Sequence, residues 1–284
     1  MLTDKYINLF TDFGFKKIFG TESNKDLLID FLNTILENEI PKITNLTYLK
    51  TEFLGKVVKD RKAIFDLFCQ NDEGEKFIIE LQRAEQEFFK DRSVYYASFP
   101  IQEQGKKGKD WDYELMPVYT ISIMNFVFDE FTPYQVISHI ELRDRQTNRL
   151  FFDKLRFVYI EMPKFQKQED ELESNLDRWL YIFKNMHILD RMPREIREGI
   201  FLKLFEQCEI AQYKPKELMK YEQSWKEHND MFAVLSTAEK KGINSAKKEV
   251  VINAIKKGFD DQTISEITNL SLLTILEIRK EIKP

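Results

Sequence analysis

The stretch FDLFCQNDEGEKFIIELQ, residues 65–82, limits the possible folds more than any other part of the chain. Two segments rich in Phe, Ile and Leu flank NDEG, a turn signal in which Gly74 suits the left-handed position of a hairpin. The segments read as paired buried strands, and each carries one carboxylate, Asp66 in the first and Glu80 in the second. Burying a carboxylate in an apolar strand costs several kcal/mol unless a partner compensates it. A hairpin through Asp72–Glu75 brings Asp66 beside Glu80, and strand alternation points Glu80 and Gln82 to one side. Two acids a few ångströms apart do not both ionise without a cation.

The rest of the chain supplies a frame for this hairpin. Residues 24–37 place Leu27, Leu28, Phe31, Leu32, Ile35 and Leu36 on one helical face, with Asn24 as the expected cap. Residues 43–54 alternate as a half-buried strand, and with strands at 62–70 and 76–83 they predict an antiparallel meander. Residues 85–104 have helical spacing, with Pro100 marking a kink or boundary. Residues 117–128, PVYTISIMNFVF, are almost wholly apolar and predict a central strand buried on both faces. Further strands are expected within 135–162, and helices from 169 to about 241. This order predicts an α/β core with a helical C-terminal region rather than a doubly wound parallel sheet.

Composition agrees with a sizeable core: 43% of the 284 residues are hydrophobic, while Gly and Pro together number only 17. The net charge of −5 excludes a uniformly basic nucleic-acid binder. The charge is uneven, since residues 240–284 carry +3 and the remainder −8. The cysteines, Cys69 and Cys208, have no metal or redox spacing and are expected to be reduced. No apolar run reaches the length of a membrane span, and MLTDKYINLF has neither the basic nor the apolar part of a signal peptide. A soluble, cytoplasmic protein with no membrane partner is therefore expected.

Oxygen ligands favour a hard ion, so Asp66 and Glu80 are candidate ligands for Mg²⁺ or Mn²⁺. From spacing alone a second reading stays open, in which the two acids are ordinary strand residues or partners of Lys62 and Lys76. Arg92 likewise either meets a substrate phosphate or packs with Tyr95 and Tyr96 between helix and sheet. His139, His187 and His228 are scattered and are assigned no site.

The pattern of Asp66 followed by Glu80-Leu81-Gln82 resembles the active-site motif of PD-(D/E)XK phosphodiesterases, in the variant with Gln at the lysine position. The blocks TDFGFKKIFG, DLLIDFLN, KFIIELQ, DRSVYYAS and LMPVYTISIMNF resemble the Rpn family of recombination-promoting nucleases and transposases, over residues from about 8 to 165. The resemblance implies an αβββαβ nuclease core in residues 1–165, with a mixed sheet flanked by helices. It also implies metal-dependent cleavage of DNA as an endonuclease tied to recombination or transposition. The competing function is a non-catalytic DNA-binding or assembly protein on a degenerate nuclease fold. Carried over by position, Asp66 and Glu80 match the metal-binding acids, and Gln82 stands where Lys is usual. A carboxamide orients water but brings no charge, so a lysine from elsewhere, Lys62 or Lys76, is a candidate to supply it. The acid that the first helix often contributes is assigned to Asp26.

A helical region is expected over 166–243 and a distinct tail over 244–284. Within 246–282 three short helices resemble a helix-turn-helix, with Asp260 or Asp261 capping the second, a turn at Asn269-Leu270 and Ser271 capping the third. The last helix, LLTILEIRKEI, is poor in residues that read base edges. The tail is therefore expected to contact DNA backbone without reading sequence, or to self-associate into a homo-oligomer.

Overall fold

The computed structural model describes residues 4–53, 63–105, 112–128 and 134–282. In chain order they form α1 (Asp12–Phe19), α2 (Lys25–Ile35), β1 (Thr47–Tyr48), β2 (Glu52–Phe53), β3 (Ala63–Ile64), β4 (Leu67–Gln70) and β5 (Lys76–Gln82). Then follow α3 (Phe89–Glu103), β6 (Val118–Met124), β7 (Ile137–Arg143) and β8 (Leu150–Glu161). The helices α4 (Asn175–Asn185), α5 (Ile200–Cys208), α6 (Pro215–Lys256), α7 (Asp261–Thr268) and α8 (Leu272–Ile282) complete the chain.

The main sheet has the order β1-β4-β5-β6-β8-β7. Its first three strands are the antiparallel meander, with Thr47 opposite Gln70 and Leu67 opposite Ile79. Gly74, at φ +87°, makes the hairpin turn in a backbone conformation that a side chain would strain. Through α3 the chain crosses to β6, parallel to β5, with Glu80 in register with Ser122. Strand β8 runs parallel to β6, and β7 closes the sheet as an antiparallel edge. Elements α2, β1, β4, β5, α3 and β6 thus give the αβββαβ order, a mixed sheet flanked by helices and followed by a helical C-terminal region.

Alternation divides the central strands cleanly. Ile79, Ile121, Ile123, Val158 and Ile160 face a large core that takes Phe15 and Phe19 from α1, Phe31 from α2, Trp179 and Phe183 from α4 and Phe201 from α5. Ile78, Met124, Phe157 and Tyr159 face the other way, onto Phe89 and Ala97 of α3. Both cysteines are free and buried, as expected. No described helix is long and apolar enough to cross a membrane.

Several sequence expectations are corrected. The strand expected over 43–54 yields only β1 in the main sheet and β2, which pairs with β3 in a separate two-stranded ribbon. The strand expected over 62–70 is interrupted at Phe65 and Asp66, where the Phe65 amide donates to the Thr51 carbonyl and the Asp66 amide to the Glu80 side chain. Asn24 does not cap α2; its amide instead donates to the Lys17 carbonyl at 3.2 Å. No break separates the helical region from the tail, because α6 continues through Gly242 to Lys256. An added Cβ at Gly242 would meet nothing within 4 Å, so this glycine marks no close contact, and one glycine in a long helix costs only about 1 kcal/mol.

The chain divides into two compact units, one ending at Trp225 and the other beginning at Lys226. In the first, the Asn8 amide donates to the Tyr221 hydroxyl at 2.9 Å and the Phe13 amide to the Ser224 hydroxyl at 3.1 Å. In the second, Val251, Ile264, Ile275 and Ile278 form a small core. Asp260 caps α7 by accepting from the Gln262 and Thr263 amides, Asn269 turns at φ +53°, and Ser271 accepts from the Thr274 amide.

Gly14 holds α1 against the preceding turn. An added Cβ would lie 2.3 Å from the Asn8 carbonyl oxygen and 2.7 Å from the Thr11 hydroxyl that caps the helix. Gly14→Ala is expected to destabilise the protein by about 1–3 kcal/mol, the usual cost of overpacking, read as a lower urea midpoint with unchanged slope.

Candidate active site

The meander brings Asp66 and Glu80 together at the end of the β4–β5 ladder. Continuing the register of Leu67 and Ile79 places the two acids opposite each other. The Asp66 amide donates to Glu80 Oε1 at 3.3 Å, and the Leu81 amide donates to Asp66 Oδ2 at 2.8 Å. Each carboxylate therefore stands in for a missing backbone acceptor. Glu80 is 5% exposed, and Asp66 is partly buried.

Arg92 approaches from α3, with Nη2 3.7 Å from Glu80 Oε2. This is an ion pair without a hydrogen bond. Its guanidinium lies over the rings of Phe89 and Tyr96 and donates to Gln86. Packing and approach to the acids thus coexist in one side chain. Gln82, also buried, lies two residues beyond Glu80 on the same face, in register with Met124.

Other candidates fall elsewhere. Asp26 is exposed on α2 and pairs with Lys203 at 2.5 Å. Lys76 shares the face of Glu80 but lies four positions earlier on the strand, about 13 Å away. It pairs with Glu103 at 3.1 Å instead. Lys62 lies outside the described residues. Of the two lysines named as substitutes for the missing cation, the described one is therefore engaged elsewhere.

Helix α1 carries what sequence reasoning missed. Lys16 acts electrostatically on both acids and Asp12 on Asp66, while the two pair with each other at 2.6 Å. The signal was present in TDFGFKKIFG, where Asp12 and Lys16 sit four apart on a helix that starts at a Thr cap. Glu161 is a third buried acid on the face of Gln82, but Lys164 at 2.7 Å and the Phe128 amide at 2.7 Å satisfy it.

The electrostatics follow from this imbalance. Burial, then the Asp66 charge, pushes Glu80 up to about 8, and Arg92 only partly offsets them. Burial also raises Asp66, against the Leu81 amide and Lys16. The pair thus lacks positive charge. Two buried oxygen ligands suit Mg²⁺, which keeps several waters and takes one or two protein carboxylates. No group of three or more potential ligands occurs among the described residues. Two carboxylates as donors fit a partly hydrated hard ion.

The six-stranded mixed sheet flanked by helices and followed by a helical region is consistent with a PD-(D/E)XK nuclease fold. The family model described as PD-(D/E)XK nuclease family transposase matches residues 9–238, and the chain belongs to that family. No curated protein and no solved structure matches the chain.

The raised carboxyls make stability depend on pH. The folded protein holds a proton on Glu80 more tightly than the unfolded chain, where the ordinary value is 4.5. The associated stability is complete below about 4.5 and is lost as pH rises towards 8. Without divalent ions, the melting temperature is expected to fall between pH 5 and pH 8.5. Glu80→Gln is expected to flatten that fall.

Proposed function

We propose that this protein is a cytoplasmic, metal-dependent DNA endonuclease that hydrolyses phosphodiester bonds during recombination or transposition. The observation that carries the reading is the buried, charge-deficient pair of Asp66 and Glu80 within a PD-(D/E)XK fold. Asp66 and Glu80 would hold Mg²⁺ or Mn²⁺ through their oxygens. When bound, such an ion polarises the phosphoryl group and lowers the pKa of water.

The chain's own residues do the remainder. Gln82 orients the attacking water with its carboxamide. Arg92, braced by Phe89 and Tyr96, takes a non-bridging phosphate oxygen. Lys16 supplies the charge that Gln82 lacks, since its field already reaches both acids. Water attacks phosphorus and loses a proton, the bond to the leaving deoxyribose oxygen breaks, and that oxygen gains a proton.

A second reading concerns the tail at 244–284. Its Arg279 is engaged by Asp261 at 2.5 Å and Lys248 by Glu281 at 2.5 Å, while Leu272, Leu273 and Leu276 of α8 are exposed. Engaged cations and exposed leucines favour self-association over sequence reading for this helix-turn-helix-like segment.

Supercoiled plasmid is expected to be nicked or linearised with Mg²⁺ and left intact with EDTA. Asp66→Asn and Glu80→Gln are expected to abolish cleavage while keeping the fold. Gln82→Ala is expected to lower the rate by roughly two to three orders of magnitude, the worth of one positioning hydrogen bond in a transition state. Plasmid left intact under every metal condition would leave the non-catalytic assembly reading.

A further inference from the structure

The central strand β6 is uneven across its two faces. Tyr119, Ile121 and Ile123 face the large core, whereas Thr120 and Ser122 face α3. Ser122 is 1% exposed, and its hydroxyl has no hydrogen-bond partner among the described residues. A buried hydroxyl without a partner carries a desolvation cost that alanine would avoid.

Its neighbours explain what it is for. Ser122 is in register with Glu80 on one side and with Tyr159 on the other. Tyr159 is engaged, through a hydrogen bond with Ser93, whose own hydroxyl donates to the Phe89 carbonyl at 3.0 Å. Glu80 is not fully served: its contacts are a 3.3 Å bond from the Asp66 amide and the 3.7 Å approach of Arg92. A donor without an acceptor and a carboxylate short of donors thus stand on adjacent strands, whose backbones run about 4.8 Å apart. Thr120 also lacks a partner, but it lies between Ile78 and Phe157, where no side chain accepts.

We propose that Ser122 is a positioning residue for Glu80. Its hydroxyl donates to the Glu80 carboxylate when that group turns to ligate a divalent ion, and so fixes the rotamer that bears the ion. The inference rests on the reading of Asp66 and Glu80 as ion ligands and adds a residue which that reading does not contain.

The test compares Ser122→Ala, Ser122→Thr and Ser122→Val, the last two being matched in shape and different in the hydroxyl. Mn²⁺ affinity is measured by the resonance signal of free Mn²⁺, and melting is followed without metal. Wild type and the Thr variant are expected to bind alike, with Ala and Val weaker by about tenfold, the worth of one hydrogen bond to a charged group. Metal-free Ser122→Ala is expected to melt no lower than wild type, since it loses only an unpartnered hydroxyl. Equal Mn²⁺ affinity in wild type and Ala, or in Thr and Val, overturns the role. So does a metal-free melting point that falls in Ala, which would make Ser122 structural. Wild-type protein that takes up no Mn²⁺ overturns the ligand reading itself, whereas tight binding by both wild type and Ala overturns Ser122 alone.

Discussion

Two side-chain carboxylates complete a β-ladder whose strand has ended. The Asp66 and Leu81 amides would be unpaired at the end of the hairpin, and the carboxylates of Glu80 and Asp66 accept from them. The acids are thereby tied to the backbone through one oxygen each, Glu80 Oε1 and Asp66 Oδ2. Packing encloses them further, with α3 bringing Arg92 over its aromatic supports. The protein shows with Glu161 how a buried acid is made quiet, by a close lysine and an amide. Asp66 and Glu80 also accept from amides, but among the described residues no lysine pairs with either, and Arg92 stands 3.7 Å from Glu80. That contrast distinguishes two buried acidic sites in one sheet by the cation that faces each.

Much of this was legible because the period of a strand is two. The NDEG turn fixed the pairing of residues 65–82, and pairing fixed the faces, so Asp66, Glu80 and Gln82 followed without knowledge of the remaining fold. Arg92 followed from helical spacing after β5. Position across helices was not legible. Asp26 was the acid chosen from the helices, Asp12 was not considered, and in the structure Asp26 pairs with Lys203. Lys76 shows a related limit: the correct face lay at the wrong height on the strand. The long α6 was divided in the sequence because 246–282 was read as a separate three-helix motif, yet α6 runs through Gly242 to Lys256.

The second unit is governed by different physics. Its core is four buried side chains, Val251, Ile264, Ile275 and Ile278, and its turns are fixed by Asp260, Asn269 and Ser271. Local capping was therefore enough to place its last two helices from the sequence. Its short ion pairs, Arg279 with Asp261 and Lys248 with Glu281, link its helices to one another.

The hydrogen bonds from Asn8 to Tyr221 and from Phe13 to Ser224 join residues 213 and 211 positions apart. They set an order of assembly in time. A chain leaving the ribosome can close the 65–82 hairpin, and so juxtapose the two acids, long before residue 221 is made. Helix α1, which bears Asp12 and Lys16, reaches its final seat only after the start of α6 has emerged. Closing so long a loop is slow compared with local pairing. Until the start of α6 has emerged, a nascent chain therefore lacks the two hydroxyl partners that hold the Asn8 and Phe13 amides beside and within α1.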